Sequence, residues 1–295
     1  MNVVAIVGPT ASGKSALAMR VATRSSGEIV AADSRQVYRG MDIGTAKPTA
    51  TERALVPHHC IDLVDPGEPY DAARYQRDGR AALADVATRG KTAYLVGGTG
   101  LYVRGLLDGL DLAAAPTDPA LRAALEARAV AEGGEALHSE LAAIDPAAAA
   151  RVDPRNGRRV VRYLELARLV GRVPAERGAT IRCPRIGLDP PRPWLDERIG
   201  ARVRQMVDDG VLDETQRLVD AGMDPRLPSM SAHGYVHWAA HLRGEITLDA
   251  ACAATVKDVR AYSRRQMTWF RRDPDIRWVD PTTTDLLPLL EQVAA

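Results

Sequence analysis

The run Val3–Val7 is apolar at every position and is bounded by turn formers, the pattern of a short strand buried on both faces. Two more strands are predicted on the same grounds, at Glu28–Ala32, which ends on Asp33-Ser34, and at residues 92–96, which run into Gly97-Gly98-Thr99-Gly100. Between them the apolar positions switch to helical spacing, directly after Ser15 and again over residues 69–86, where Gly90 supplies the stop. Residues 35–69 are polar and rich in turn formers, and a long irregular stretch of that kind in a compact protein is usually either functional or mobile. Strands alternating with helices predict an α/β fold with a parallel sheet.

From about Leu112 the texture changes. Asp118-Pro119 and Asp145-Pro146 each combine an N-cap with a first-turn proline, and the alanine-rich amphipathic sequence around them is broken only at Gly133-Gly134. Helical spacing continues over residues 156–169 and stops at Gly171. These residues predict an all-helical insertion over 115–180, dividing a sheet-bearing core into 1–114 and 181–295. A return to the sheet is predicted at residues 185–189, followed by helices over 194–207, 212–219, 229–242 and 248–271.

Composition narrows the class. Hydrophobic residues make up 46% of the 295, enough for a sizeable core. No apolar stretch approaches the roughly 18 residues of a membrane span, and a phosphate-loop motif occupies the place of a signal peptide, so a cytoplasmic protein is expected. Cys60, Cys183 and Cys252 are too scattered for a disulfide framework or a zinc ribbon. A net charge of +1 leaves any affinity for polyanions to local patches. Two such patches are present: Arg151, Arg155, Arg158, Arg159, Arg162, Arg168 and Arg172 in one short span, and Arg260, Arg264 and Arg271 at helical spacing with Arg265 beside them. Nothing in the sequence requires more than a monomer.

The candidate chemistry centres on Gly8-Pro9-Thr10-Ala11-Ser12-Gly13-Lys14-Ser15, which satisfies GxxxxGK[ST] between a predicted strand and a predicted helix. Its glycines let successive amides surround phosphate oxygens at the positive end of a helix, Lys14 can reach a terminal phosphate, and the Ser15 hydroxyl can join a Mg2+ shell. In an open parallel sheet, ligands gather at the carboxyl ends of strands, which aims Asp33 at the same crevice. A typical phosphate-loop NTPase places a second acid after another apolar strand. Here that strand ends in glycines and Thr99, which counts against ordinary ATP hydrolysis. A small-molecule kinase with Asp33 as base remains open, as does an RNA-binding protein that merely keeps the loop.

Several motifs together resemble the tRNA dimethylallyltransferase (tRNA isopentenyltransferase) family: GPTASGKS at 8–15, Asp33-Ser34 followed by Gln36-Val37-Tyr38, GMDIGTAKP at 40–48, VGGTG at 96–100, RVVRYLE at 159–165 and RRQMTWF at 264–270. The resemblance implies a P-loop NTPase-like core with a mobile helical domain that clasps the anticodon stem. It also implies Mg2+-dependent prenyl transfer from dimethylallyl diphosphate to the adenosine N6 just 3′ of the anticodon. Asp33 would then be the general base, Thr99 would hydrogen-bond near the target base or Asp33, and Arg202 would lie over the diphosphate. Asp33, Ser34, Arg35, Gln36, Thr99, Arg158, Arg159, Val160, Val161, Arg162, His233, Gly234 and Tyr235 would touch tRNA. Val236, Ala261 and Tyr163 depart from the family's usual residues, all on the RNA side.

Overall fold

A computed structural model describes residues 1–110, 116–173, 180–224, 227–231, 234–288 and 290. Six strands, β1 (Val3–Val7), β2 (Glu28–Ala32), β3 (His58–His59), β4 (Ala93–Gly97), β5 (Arg185–Leu188) and β6 (Ile276–Val279), form one sheet in the order β3-β2-β4-β1-β5-β6. Every pairing is parallel.

Alternation along β1 divides the core. Val3, Ala5 and Val7 face Val30, Leu83, Leu95 and Leu106 on one side, while Val4 and Ile6 face Leu17, Val21, Ile29 and Ile186 on the other. Helices cover both faces, which is why these strands are apolar at nearly every position.

The register then positions the site. Val7 lies opposite Gly97, and Gly97 lies opposite Ala32, so β1, β2 and β4 end level with one another. Residues 8–13, 33–36 and 98–99 therefore leave the sheet along one edge. Gly97 is required at that level, because a Cβ there would come within 2.1 Å of the Ala32 carbonyl oxygen.

The fold is the expected α/β sheet flanked by helices. Its additional elements are the helix Ala50–Leu55, β3 and β6. Ala50–Leu55 carries a capping box between Thr49 and Glu52.

The described residues form two compact units, Met1–Asp108 with Thr180–Ala295, and Gly109–Ala179. The second is all-helical: Pro119–Glu132, Gly134–Ile144, Pro146–Ala149 and Gly157–Val170 enclose Leu125, Leu137, Leu141, Val160, Val161 and Leu164. Asp118 and Asp145 cap their helices as their prolines predict. Buried Glu165 accepts the Asp118 amide at 2.9 Å and guanidinium groups of Arg122 and Arg162, each at 2.7 Å, tying the first helix of this unit to the last.

Among the described residues no helix is long and apolar enough to cross a membrane.

Candidate active site

The phosphate loop runs from Gly8 to Gly13 into the helix Lys14–Ser25. Gly8 has φ 138°, and a Cβ there would meet the Leu188 carbonyl oxygen at 2.8 Å, so β5 closes on the loop only because the residue is glycine. Gly13, at φ 93°, opens the helix without a side-chain cap, leaving first-turn amides available to an anion. Arg198 braces the loop from outside by donating to the Ala11 carbonyl at 3.1 Å. Ser12 Oγ is buried and has no hydrogen-bond partner among the described residues, a polar atom that a phosphate oxygen can satisfy. Ser15, by contrast, is exposed.

Lys14 is buried and donates to the Pro9 carbonyl at 2.5 Å. Burial first, and then the charge of Arg202, lower its ammonium to about 7, with Asp33 opposing the shift. Partly buried Arg202, on the helix Arg192–Asp208, is pushed down by burial and by Arg198, again opposed by Asp33. Lys14, Asp33 and Arg202, widely separated in sequence, thus share one electrostatic site. It sets two basic side chains against one carboxylate, an arrangement that favours a bound anion.

Asp33 Oδ1 accepts the Arg35 amide at 2.8 Å and the Gln36 amide at 3.4 Å in an Asx turn, which orients its carboxylate. The Thr99 hydroxyl oxygen accepts the Ser34 amide at 3.0 Å. On the far side of Asp33, the Thr99 amide donates to the Ala32 carbonyl at 3.1 Å. Thr99 therefore grips the backbone on both sides of Asp33.

Other expected contact residues have different occupations. Val160 and Val161 belong to the helical core, at 0% and 3% exposure, so their side chains present no surface to RNA. Tyr235 is equally buried, and its hydroxyl donates to Glu214 at 2.6 Å. Gly234, at φ 93°, lets the helix Tyr235–Leu242 start close to Thr255. The Arg35 guanidinium donates to the Pro228 carbonyl and to Ser231, and Gln36 donates to the Thr45 and Ala46 carbonyls. Arg162 is held by Glu165 and the Pro116 carbonyl, and Arg159 by the Tyr163 hydroxyl at 2.8 Å. Tyr163 supports two arginines, since Arg159 and Arg151 lie over its ring at 5.2 and 5.9 Å. Arg158 is exposed, with no ion pair among the described residues. His233 lies outside the described residues.

Two organising residues carry no sequence signal of their role. Buried Glu214 accepts the amides of Asp42, Ile43 and Gly44 at 2.8, 2.8 and 3.0 Å, and so shapes the GMDIGTAKP segment. Lys47 of that segment is structural as well, its ammonium buried against Tyr38, Asp42 and Asp62. Buried Gln266, on the helix Leu248–Phe270, accepts the Thr10 amide and donates to the Gly98 carbonyl. That helix comes close because of glycine: a Cβ on Gly100 would lie 1.9 Å from Trp269 Cδ1. Its outer face carries Arg264 and Arg265, which with Ala261, Thr268, Trp269 and Arg272, just past the helix end, line an open cavity of about 410 Å³.

A parallel α/β sheet with a phosphate loop, two basic side chains and an oriented carboxylate at its carboxyl edge defines a P-loop-type α/β protein built to hold an anion beside a carboxylate. The IPP transferase family model matches residues 36–273, and an isopentenyl transferase model matches residues 1–56. The chain belongs to the IPP transferase family. It is 51% identical over 288 residues to a tRNA dimethylallyltransferase of Anaeromyxobacter sp. (strain K), covering 95% of this chain and 93% of the relative. It is 49% identical to a tRNA dimethylallyltransferase of Roseiflexus sp. (strain RS-1), covering 96% and 94%. Among solved structures, the tRNA isopentenylpyrophosphate transferase of Bacillus halodurans superposes with TM-score 0.72 at 41% identity, over 99% of this chain and 94% of that one. A eukaryotic dimethylallyltransferase shares the fold at TM-score 0.76 and 23% identity, over 99% and 77%.

Proposed function

We propose that this chain transfers a dimethylallyl group from dimethylallyl diphosphate to N6 of the adenosine 3′ to the anticodon in tRNA, releasing diphosphate. The observation that carries this reading is the grouping of Lys14 and Arg202 with Asp33, an anion site that already contains a base. Family membership and the relatives' activity support it. The alternative of a kinase gains nothing from the end of β4, where Gly97, Gly98 and Thr99 stand in place of a second acid.

In the proposed step the N6 lone pair attacks C1 of the dimethylallyl group as the C1–oxygen bond breaks, and the diphosphate departs with the bonding electrons. The phosphate-loop amides, Lys14 and Arg202 stabilise the charge that accumulates on the leaving oxygens. Asp33 accepts the N6 proton, which is general-base chemistry worth about 10²- to 10⁴-fold. The exposed Ser15 hydroxyl is a hard oxygen donor suited to Mg2+, which keeps several waters and binds through few protein ligands plus substrate phosphates. Bound there, Mg2+ would supply further neutralisation of the leaving group.

The target base must leave its stack, which costs least in a single-stranded loop, so an anticodon loop suits the reaction. On the core, exposed Arg264 and its neighbours are assigned to the tRNA backbone; on the helical unit, Arg158 and Arg159 are. We assign the helical unit to clasping the anticodon stem, and the protein to the cytoplasm as a monomer. Asp33→Asn tests the reading: donor binding should persist while transfer falls at least about 100-fold. Normal transfer by that variant would remove Asp33 as base.

A further inference from the structure

Gln266 joins the two halves of the site, although no part of the proposed chemistry uses it. Its Oε1 accepts the Thr10 amide at 2.8 Å, and its Nε2 donates to the Gly98 carbonyl at 3.0 Å. The amide orientation is fixed by these partners, since a flipped side chain would set donor against donor and acceptor against acceptor.

The fit is close. A Cβ on Gly98 would lie 2.0 Å from Gln266 Nε2 and 3.5 Å from the Gly8 carbonyl oxygen, so the glycine turn, the phosphate loop and this side chain occupy one tightly packed point. Gln266 is 5% exposed, and both its hydrogen bonds are sheltered from competing water. A continuous path of bonds results. It runs from Thr10 through Gln266 to Gly98 and Thr99, and from the Thr99 hydroxyl to Ser34, next to Asp33.

We infer that Gln266 is a positioning residue that sets the distance between the phosphate loop and Asp33, and with it the spacing between leaving group and proton acceptor. The inference rests on the roles proposed above for the loop and for Asp33. A hydrogen-bonded brace at this point affects the rate more than donor binding. The loop keeps its own amides and Lys14, whereas a shift of about 1 Å between reacting groups costs about 100-fold.

The test compares Gln266→Met, which keeps length and shape without either hydrogen bond, with Thr99→Val and with the double variant. Single-turnover transfer at saturating donor and unmodified tRNA is measured beside binding of inorganic diphosphate and the thermal midpoint. The expected result for Gln266→Met is transfer slowed about 100-fold, with diphosphate affinity within about threefold of the parent and a cooperative unfolding transition retained. The double variant should lose less than the product of the two single losses, because both substitutions cut one path. Transfer within about threefold of the parent would overturn the inference, as would a rate loss matched by an equal loss of diphosphate affinity or of folded protein. Asp33→Asn in the same assay separates the two levels. If it is inactive while Gln266→Met is normal, only the role of Gln266 fails; if it transfers normally, the base assignment fails and this inference with it.

Discussion

The Thr99 hydroxyl oxygen accepts the amide of Ser34 at 3.0 Å, and this bond joins the end of β4 to the residue that follows Asp33. Together with the Thr99 amide on the Ala32 carbonyl, it holds the backbone on both sides of the proposed base.

Thr99→Val keeps the shape of the side chain and removes that acceptor. The lost hydrogen bond costs roughly 1 kcal/mol of stability. Its effect on transfer should be larger, about 10- to 100-fold in kcat, because the position of Asp33 relaxes. Steady-state kinetics with donor affinity measured separately checks this, and a change confined to the donor KM would contradict it.

Lys14 gives a pH dependence with a defined sign. Its folded value of about 7 lies below the ordinary lysine value of 10.5, so between these limits the unfolded chain binds more protons. The stability of the ligand-free protein therefore rises with pH across that window, and the cost of the buried charge is present in full below it. A bound diphosphate favours the ammonium, so binding at pH 8 should take up a proton. Calorimetry in two buffers of different ionisation enthalpy should give different heats at pH 8, and Lys14→Met should bind more weakly and abolish the difference. Equal heats for the parent protein would contradict the shift.

Glu214 should be essential to the fold around the GMDIGTAKP segment. Glu214→Ala leaves three backbone amides and the Tyr235 hydroxyl without their acceptor. A loss on the order of 3–5 kcal/mol follows, since each unsatisfied buried group costs about 1–3 kcal/mol. Glu214→Gln keeps one acceptor oxygen and should lose roughly half as much. Urea unfolding measures both, and near-parent stability of the alanine variant would contradict the assignment.

How much of this was legible in the sequence differs from residue to residue. β1, β2 and β4 were legible because each is an almost wholly apolar run ending at a turn or an acid, and Asp118 and Asp145 announce their helices by the proline that follows. β6 was not, since Ile276-Arg277-Trp278-Val279 is a short edge strand whose Arg277 faces solvent. Gln266 and Glu214 were illegible for a different reason: their bonds to Thr10 and Ile43 span 256 and 171 residues, and no local spacing records such a partner. Val160, Val161 and Tyr235 mark the opposite limit. They stand inside motifs that the resemblance associates with RNA, but their side chains are buried in packing.

Arg158 tests the electrostatic side of RNA recognition. It is exposed with no ion pair among the described residues, so Arg158→Ala should leave stability unchanged and weaken tRNA binding. The slope of log affinity against log salt should become shallower by about 0.7 to 0.9. Titrations at several salt concentrations decide the matter, and an unchanged slope would remove Arg158 from the interface.

The central claim is the reaction itself, and mass spectrometry of nucleosides tests it most directly. Unmodified tRNA incubated with the protein, Mg2+ and dimethylallyl diphosphate should gain one C5 prenyl unit on the adenosine 3′ to the anticodon, with stoichiometric release of diphosphate. Turnover of ATP with no prenyl group on the RNA, or a prenyl group on any other nucleoside, would contradict the account.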